Sequence, residues 1–201
     1  MGEVGRLGQD IRRSISCLRR VRAIRGQLVH PGSPARGQRK KGGGKATTAA
    51  GLADLRARCM GRSRGGLTTK IHAVTDARGL PITLKLTPGQ AHDGRSADDM
   101  LDTVEPGQTL LADAAYDSNR LREHLAGIGA KAVIRAISRR SAPPPLDREA
   151  YRRRNRIERF FSKLKHYRAI ATRYEKHDAN FLALVKLAAT RIWLRAYESV
   201  T

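Results

Sequence analysis

The stretch LTTKIHAVTDARGLPITLKLTPG, residues 67–89, contains two runs rich in β-forming residues, joined by a short polar segment. Two such runs separated by a few turn-forming residues predict an antiparallel hairpin. The turn is expected between Asp76 and Gly79, because aspartate and glycine favour tight turns. The chain is therefore expected to contain a β-sheet with at least one antiparallel pair.

The residues that follow the hairpin alternate between helical and extended patterns. GRSADDMLDTV predicts a short helix, QTLLAD a compact strand, SNRLREHLAGIG a helix capped by Ser118, and AKAVIRA a further strand. After SAPPPLD, Asp147 is placed to cap one long helix that runs to about Lys176, and a final helix covers residues 179–197. This order predicts an α/β fold, a mixed sheet flanked by helices.

The first 60 residues differ from the rest of the chain in composition. They contain no aromatic residue, and their only acids are Glu3, Asp10 and Asp54. Apolar residues recur at steps of three and four, which predicts a basic amphipathic helix over about residues 6–28. A linker rich in proline, glycine and lysine follows. We therefore expect a basic, partly disordered arm over residues 1–60 and a globular domain over residues 61–201.

The charge of the chain limits the functions it can have. Of 201 residues, 40 are Lys or Arg and 18 are Asp or Glu, so the formal net charge is +22. Such an excess favours a polyanionic partner, usually nucleic acid. No apolar run is long enough to span a membrane, and neither a signal peptide nor a disulfide or zinc spacing of the two cysteines is present. We expect a cytoplasmic protein that does not bind membranes.

The stretch YRRRNRIERFFSKLK, residues 151–165, sets one acid among many cations. On a helix, Tyr151, Arg154, Glu158 and Lys165 form one stripe, next to a core-like face of apolar residues. Glu158 can then be read in two ways. It is either the partner of Arg154 in an i, i+4 surface pair, or an acid that the helix presents for chemistry.

Asp113 in TLLADAAYDS is the second candidate, because it follows a buried strand at the sheet edge where α/β proteins place ligands. A turn or helix-cap role is the alternative. Together with Glu158 it could bind a divalent cation through oxygen ligands, as Mg²⁺ prefers. Metals bound in this way support phosphodiester cleavage.

Three stretches resemble the DDE transposases of bacterial insertion sequences, specifically the insertion-sequence-five-like group with an RNase H-like fold. They are GRSRGGLTTKIHAVTDARGLPITLKLTPGQAHD, LLADAAYDS, and YRRRNRIERFFSKLKHYRAIATRYEK followed by WLRAY. The resemblance covers about residues 61–198. Its most specific element is the family signature of Tyr, Arg, Glu and Lys, whose spacing Tyr151, Arg154, Glu158 and Lys165 reproduce without a gap.

The resemblance implies a role for each matching residue. Asp113 and Glu158 would be catalytic and would be two of three metal-binding acids, with Mg²⁺ or Mn²⁺ as cofactor. Tyr151, Arg154 and Lys165 would contact or support the DNA, and Arg62 and Arg64 in GRSRGG are assigned to DNA binding. The implied partner is double-stranded DNA, both at the element ends and at the target. The resemblance also implies a nucleoid-associated protein that forms a homo-oligomer on DNA.

The N-terminal segment departs from the family pattern. In the family the first catalytic aspartate lies on an early strand ahead of the GRSRGG segment, whereas VRAIRGQLVHPGSPARGQRKKGGGK contains no acid. This departure predicts that the first strand and its acid are missing, through a shifted reading frame or a replaced N-terminus. The sequence leaves three alternative functions: an active transposase, an inactive DNA-binding remnant of one, and a basic RNA-binding protein.

Overall fold

The computed structural model of the chain describes residues 15–23, 58–63, 66–96 and 98–199. Its strands are β1 (Ile15–Ala23), β2 (Gly61–Ser63), β3 (Gly66–Thr75), β4 (Pro81–Pro88), β5 (Thr109–Ala112) and β6 (Lys131–Ile134). Its α-helices are α1 (Asp93–Ser96), α2 (Asn119–Gly127), α3 (Arg148–Arg152), α4 (Asn155–Lys165), α5 (Arg168–Ala171) and α6 (Asp178–Glu198). The expected linker and most of the expected N-terminal arm lie outside these residues.

The described strands form one mixed sheet. Its order is β4-β3-β1-β5-β6, and β2 pairs with the start of β3. β1 is antiparallel to β3 and parallel to β5, which is in turn parallel to β6. The predicted mixed α/β architecture is confirmed at this level.

β1 corrects two expectations about the N-terminal segment. Residues 15–23 form an internal strand of the sheet, where Cys17 pairs with Thr75 on one side and with Leu111 on the other. A helix over these residues and a sheet without its first strand were therefore wrong predictions. The helical spacing of apolar residues was outweighed because both edges of β1 hydrogen-bond to neighbouring strands, and tertiary pairing overrides local propensity.

The hairpin of β3 and β4 confirms the predicted turn. The Asp76 carboxylate accepts hydrogen bonds from the backbone N–H groups of Arg78 at 2.9 Å and Leu80 at 2.8 Å. Gly79 has a φ of +82°, a conformation that favours glycine. The turn also contacts α4, since the Arg156 guanidinium donates a hydrogen bond to the carbonyl oxygen of Ala77.

Most helix predictions for the residues after the hairpin are confirmed, with one correction. Ser118 caps α2 by accepting from Leu121 N at 3.2 Å, and Asp147 caps α3 by accepting from Ala150 N at 3.0 Å. The short helix of GRSADDMLDTV is α1 followed by a 3₁₀ helix at Asp98–Thr103. The single long helix after Asp147 was a wrong prediction, because that segment is divided into α3, α4 and α5.

No helix among the described residues is long and apolar enough to cross a membrane.

The sheet separates two hydrophobic cores. On one face, β3, β5 and β6 pack against α4 and α6, and the buried residues include Ile71, Leu111, Val133, Ile157, Phe160, Phe161, Leu164 and Phe181. On the other face lie Val74, Met100, Leu101, Leu110, Ala112, Tyr116, Leu121, Leu125 and Ile134. Alternate residues of β5 enter opposite cores, as expected for a strand covered on both sides.

Candidate active site

Asp113 lies immediately after β5 and begins the turn that leaves the sheet. Its Oδ1 accepts a hydrogen bond from Ala115 N at 2.7 Å and so caps the 3₁₀ helix Ala114–Tyr116. The cap role considered for Asp113 from the sequence is therefore present. The other carboxylate oxygen of Asp113, Oδ2, forms no hydrogen bond with the described part of the chain.

The pleat of β5 places Asp113 on the same face of the sheet as α4. Leu111 packs in the core that contains Ile157 and Phe160 of α4. Asp113 is two residues further along and keeps an extended backbone, with φ −81° and ψ 169°. Side chains two residues apart in extended chain share a face. Asp113 thus lies at the carboxyl end of β5, on the side that α4 covers.

The turn after Asp113 is fixed from the opposite face of the sheet. Tyr116 N donates to Asp113 O at 3.1 Å, and the Tyr116 hydroxyl lies 2.7 Å from Nδ1 of His72. Nε2 of His72 lies 2.7 Å from Oγ1 of Thr87. His72 is fully buried, and both of its ring nitrogens lie within hydrogen-bond distance of a partner.

Three of the four signature residues on the helical segment are in contact. Nη2 of Arg154 lies 2.7 Å from Oε1 of Glu158, as the i, i+4 reading predicts. The Arg154 guanidinium also lies over the Tyr151 ring, 5.2 Å from its centroid. Arg154 therefore bridges Tyr151 and Glu158, although it falls between α3 and α4 rather than inside one long helix.

Burial distinguishes this pair from an ordinary surface ion pair. The side chain of Arg154 is 18% exposed and that of Glu158 is 36% exposed. Neighbouring Ile157, Phe160 and Phe161 are almost completely buried and anchor α4 to the sheet. Glu158 consequently lies at the boundary between the core and solvent, as its position in the stripe predicts.

Lys165, the fourth signature residue, does not join this contact group. Lys165 is the last residue of α4, is exposed, and forms no ion pair with the described part of the chain. Arg62 lies in β2, opposite Leu67. Arg64 lies outside the described residues.

A buried ion pair beside the site was missed from the sequence. Nζ of Lys70 lies 3.0 Å from Oδ1 of Asp93, and both side chains are less than a tenth exposed. Lys70 also donates to the carbonyl oxygen of Ala91, which attaches the loop before α1 to β3. The alternation of Lys70 and His72 in an apolar strand was the signal that could have revealed a polar cluster on one face.

Among the described residues, no group of three or more His, Cys, Asp or Glu side chains is arranged to hold a metal ion. β1 lies next to β5 and contacts α4, and its sequence, ISCLRRVRA, contains no acid. The other acids ahead of residue 80 are Glu3, Asp10 and Asp54, which lie outside the described residues, and Asp76, which serves the hairpin turn. The two candidate ligands predicted from the sequence, Asp113 and Glu158, both lie within the described residues.

Comparison with known proteins identifies the family of the chain. The family described as "Transposase DDE domain" matches residues 32–193. A Brucella ovis protein, named as a transposase for the insertion sequence element IS6501, is 45% identical over 130 residues, which are 64% of this chain and 100% of that protein. A Neisseria meningitidis transposase for IS1106 is 39% identical over 56 residues, covering 28% of this chain and 19% of that protein. No solved structure matches the chain. The chain belongs to the DDE transposase family.

Proposed function

We propose that the DNA cleavage and strand-transfer site of this transposase is the sheet edge that carries Asp113 and Glu158. The observation that carries the proposal is that Asp113 ends β5 on the face covered by α4, the helix that presents Glu158. Three antiparallel strands, β4-β3-β1, followed by the parallel strands β5 and β6, support an RNase H-like arrangement of the domain.

The donor chemistry of these two acids fits a divalent cation such as Mg²⁺ or Mn²⁺. Carboxylate oxygens are the ligands such ions prefer, and Oδ2 of Asp113 has no hydrogen-bond partner among the described residues. Two carboxylates are fewer than the three that the family resemblance implies. When bound, the cation would activate the attacking oxygen and neutralise charge on the leaving oxygen.

The neighbouring residues would orient the acids and the DNA. Arg154 fixes the Glu158 carboxylate through a charge-assisted hydrogen bond and is itself held over the Tyr151 ring. Lys165, at the end of α4, has an exposed ammonium group that suits a phosphate contact. Arg62, in β2, and Arg64, which follows β2 in the sequence, would add phosphate contacts.

The substrate of this proposal is double-stranded DNA, at the ends of an insertion sequence and at its target. Cleavage and transfer are both in-line displacements at phosphorus, so positioning of the attacking oxygen is the main contribution of the protein. Assembly of several copies on DNA and association with the nucleoid belong to the same proposal.

A second candidate function is DNA binding without cleavage. It is favoured by the sequence of β1, which contains arginines and no acid where the resemblance implies the first aspartate. Binding through phosphate contacts alone would persist and would weaken steeply with salt.

A nicking assay separates the two candidates. Labelled element-end DNA is incubated with the chain and Mg²⁺ or Mn²⁺, and Asp113→Asn and Glu158→Gln should each abolish strand cleavage. The matched controls Asp102→Asn and Glu123→Gln change exposed acids on the surface and should cleave normally. DNA binding without nicking by the unmodified chain would support the second candidate, and nicking that survives both site substitutions would overturn the assignment of the acids.

A further inference from the structure

A groove of about 380 Å³ between α4 and α6 is lined mostly by basic side chains. Four of its six lining residues are cationic or can become so, and the complete lining is Lys163, His166, Tyr167, Arg191, Ile192 and Arg195. None of them is among the residues that the family signature or the strand-end acid identifies. The groove is therefore a separate feature of the surface.

No acid among the described residues pairs with the three permanently charged side chains of the groove. Lys163, Arg191 and Arg195 are exposed and form no ion pair with an acid in the part of the chain that the structure describes. Arg191 and Arg195 are four residues apart on α6, where like charges destabilise a helix by about 0.2–0.5 kcal/mol. The protein thus tolerates mutual repulsion around one groove, which an anionic partner would relieve.

Helix dipoles explain only part of this cluster. Lys163 and Arg195 lie in the last turns of α4 and α6, where a cation is favourable. The dipole does not explain Arg191, which lies a turn earlier, nor the meeting of side chains from two helices at one groove. Arginine favours phosphate as a ligand because its planar fork matches two phosphate oxygens.

The groove and Glu158 lie on different flanks of α4. At one residue every 100°, Lys163 lies about 140° around the helix from Glu158. The buried face formed by Ile157, Phe160, Phe161 and Leu164 separates them. DNA that contacts the groove would therefore pass on the opposite flank of α4 from the proposed cleavage edge.

We propose that the groove formed by Lys163, His166, Arg191 and Arg195 binds the phosphate backbone of double-stranded DNA, at a second contact surface remote from Asp113 and Glu158. This inference rests on the proposed function, because it takes duplex DNA to be the partner. The contact is independent of base sequence, since every cation of the groove would meet phosphate rather than base edges.

The test measures the affinity of the full chain for a fluorescently labelled random-sequence duplex as a function of salt. The groove variant carries Lys163→Gln, Arg191→Gln and Arg195→Gln. The control variant carries Arg148→Gln, Lys176→Gln and Lys186→Gln, which remove the same charge from exposed positions that do not line the groove. Circular dichroism melts of all three proteins establish that each is folded.

The expected result is a smaller salt dependence for the groove variant. Each lost phosphate contact reduces the slope of log K against log salt by about 1. The magnitude of the slope should therefore fall by about 3 in the groove variant and by less than about 1 in the control variant. A charge-keeping variant, with Arg191→Lys and Arg195→Lys, should retain most of the slope of the unmodified chain.

Equal slopes for the groove and control variants would overturn the inference. The groove would then be a candidate binding site for a protein partner instead of DNA. If the unmodified chain binds no duplex DNA under any salt condition, the proposed function itself fails. The two failures are therefore distinguishable in the same experiment.

Discussion

The hydroxyl oxygen of Tyr116 lies 2.7 Å from Nδ1 of His72, and both side chains are completely buried. This hydrogen bond joins β3 to the 3₁₀ helix that Asp113 caps. It lies on the opposite face of the sheet from α4, so the position of Asp113 depends on packing in the second core. The proposed site is thus supported by packing on both faces of the sheet, by the second core on one face and by α4 on the other.

Tyr116→Phe is expected to reduce both stability and cleavage. Loss of one buried hydrogen bond should lower the free energy of unfolding by about 1 kcal/mol, measured by urea denaturation. The nicking rate should fall while duplex affinity stays unchanged, because Tyr116 is fully buried and cannot contact DNA. Tyr174→Phe, at a tyrosine that is 66% exposed, is the control and should change neither quantity.

Lys70→Met should be strongly destabilising, because it removes one partner of a buried ion pair with Asp93. Removing one partner of a buried pair costs about 3–5 kcal/mol, and the double variant Lys70→Met with Asp93→Leu should recover part of that loss. Lys85→Met breaks the more exposed pair with Asp99 and should cost about 1 kcal/mol or less. Equal losses in both single variants, measured by urea denaturation, would contradict the structural difference between the pairs.

We expect Asp147 to make a pH-dependent contribution to the stability of the folded chain. The N–H of Ala150, and then the Lys131 ammonium, hold the pKa of the Asp147 carboxyl below its ordinary value of 3.8. A depressed pKa in the folded state gives stability that is present above the unfolded-state value and is lost as the pH falls through the folded-state value. Asp147→Ala should therefore lower the Tm at neutral pH, and its difference from the unmodified chain should shrink as the solution is acidified.

Thermal melts over a pH series check this behaviour. Ser141→Ala, at an exposed serine that carries no ionisable group, is the control and should give a Tm difference that does not shrink in this way. A constant Tm deficit for Asp147→Ala down to the lowest pH would show that the carboxylate charge does not contribute.

Gly79→Ala should destabilise the hairpin that contacts α4. Gly79 has a φ of +82°, and an added Cβ would lie 2.9 Å from the carbonyl oxygen of Arg156. The left-handed conformation alone costs an alanine about 1–2 kcal/mol, and the close contact adds to it. Gly127→Ala, in α2 with no atom within 4 Å of the new Cβ, should instead be neutral or stabilising in the same urea titration.

The sequence was most informative where local signals and tertiary structure agree. The hairpin turn at Asp76, the Ser118 cap and the last helix were predicted because each is encoded by neighbouring residues. The contact between Arg154 and Glu158 was also predicted, since it depends on the i, i+4 spacing alone.

The errors arose where distant pairing or backbone detail decides the structure. β1 contains apolar residues at helical spacing, but its hydrogen bonds come from β3 and β5, which lie far away in the sequence. No proline or glycine in the sequence indicates the helix break near Arg154. In the structure the break consists of hydrogen bonds between residues three apart, such as that from Arg154 N to Tyr151 O. The Lys70 and Asp93 pair was missed because its partners belong to separate elements.

The internal position of β1 has a consequence for the order in which the chain folds. β1 is synthesised before β5, to which it hydrogen-bonds, and Ile15 pairs with Thr109 nearly half the chain away. Contacts of such high sequence separation form slowly, since a long loop must close before they contribute. The β3–β4 hairpin can form locally on the ribosome, and β1 can pair with β3 once β3 has emerged, whereas its other edge must wait for β5. Synthesis of this protein therefore includes an interval in which one edge of β1 is unpaired and exposed to chaperones and proteases.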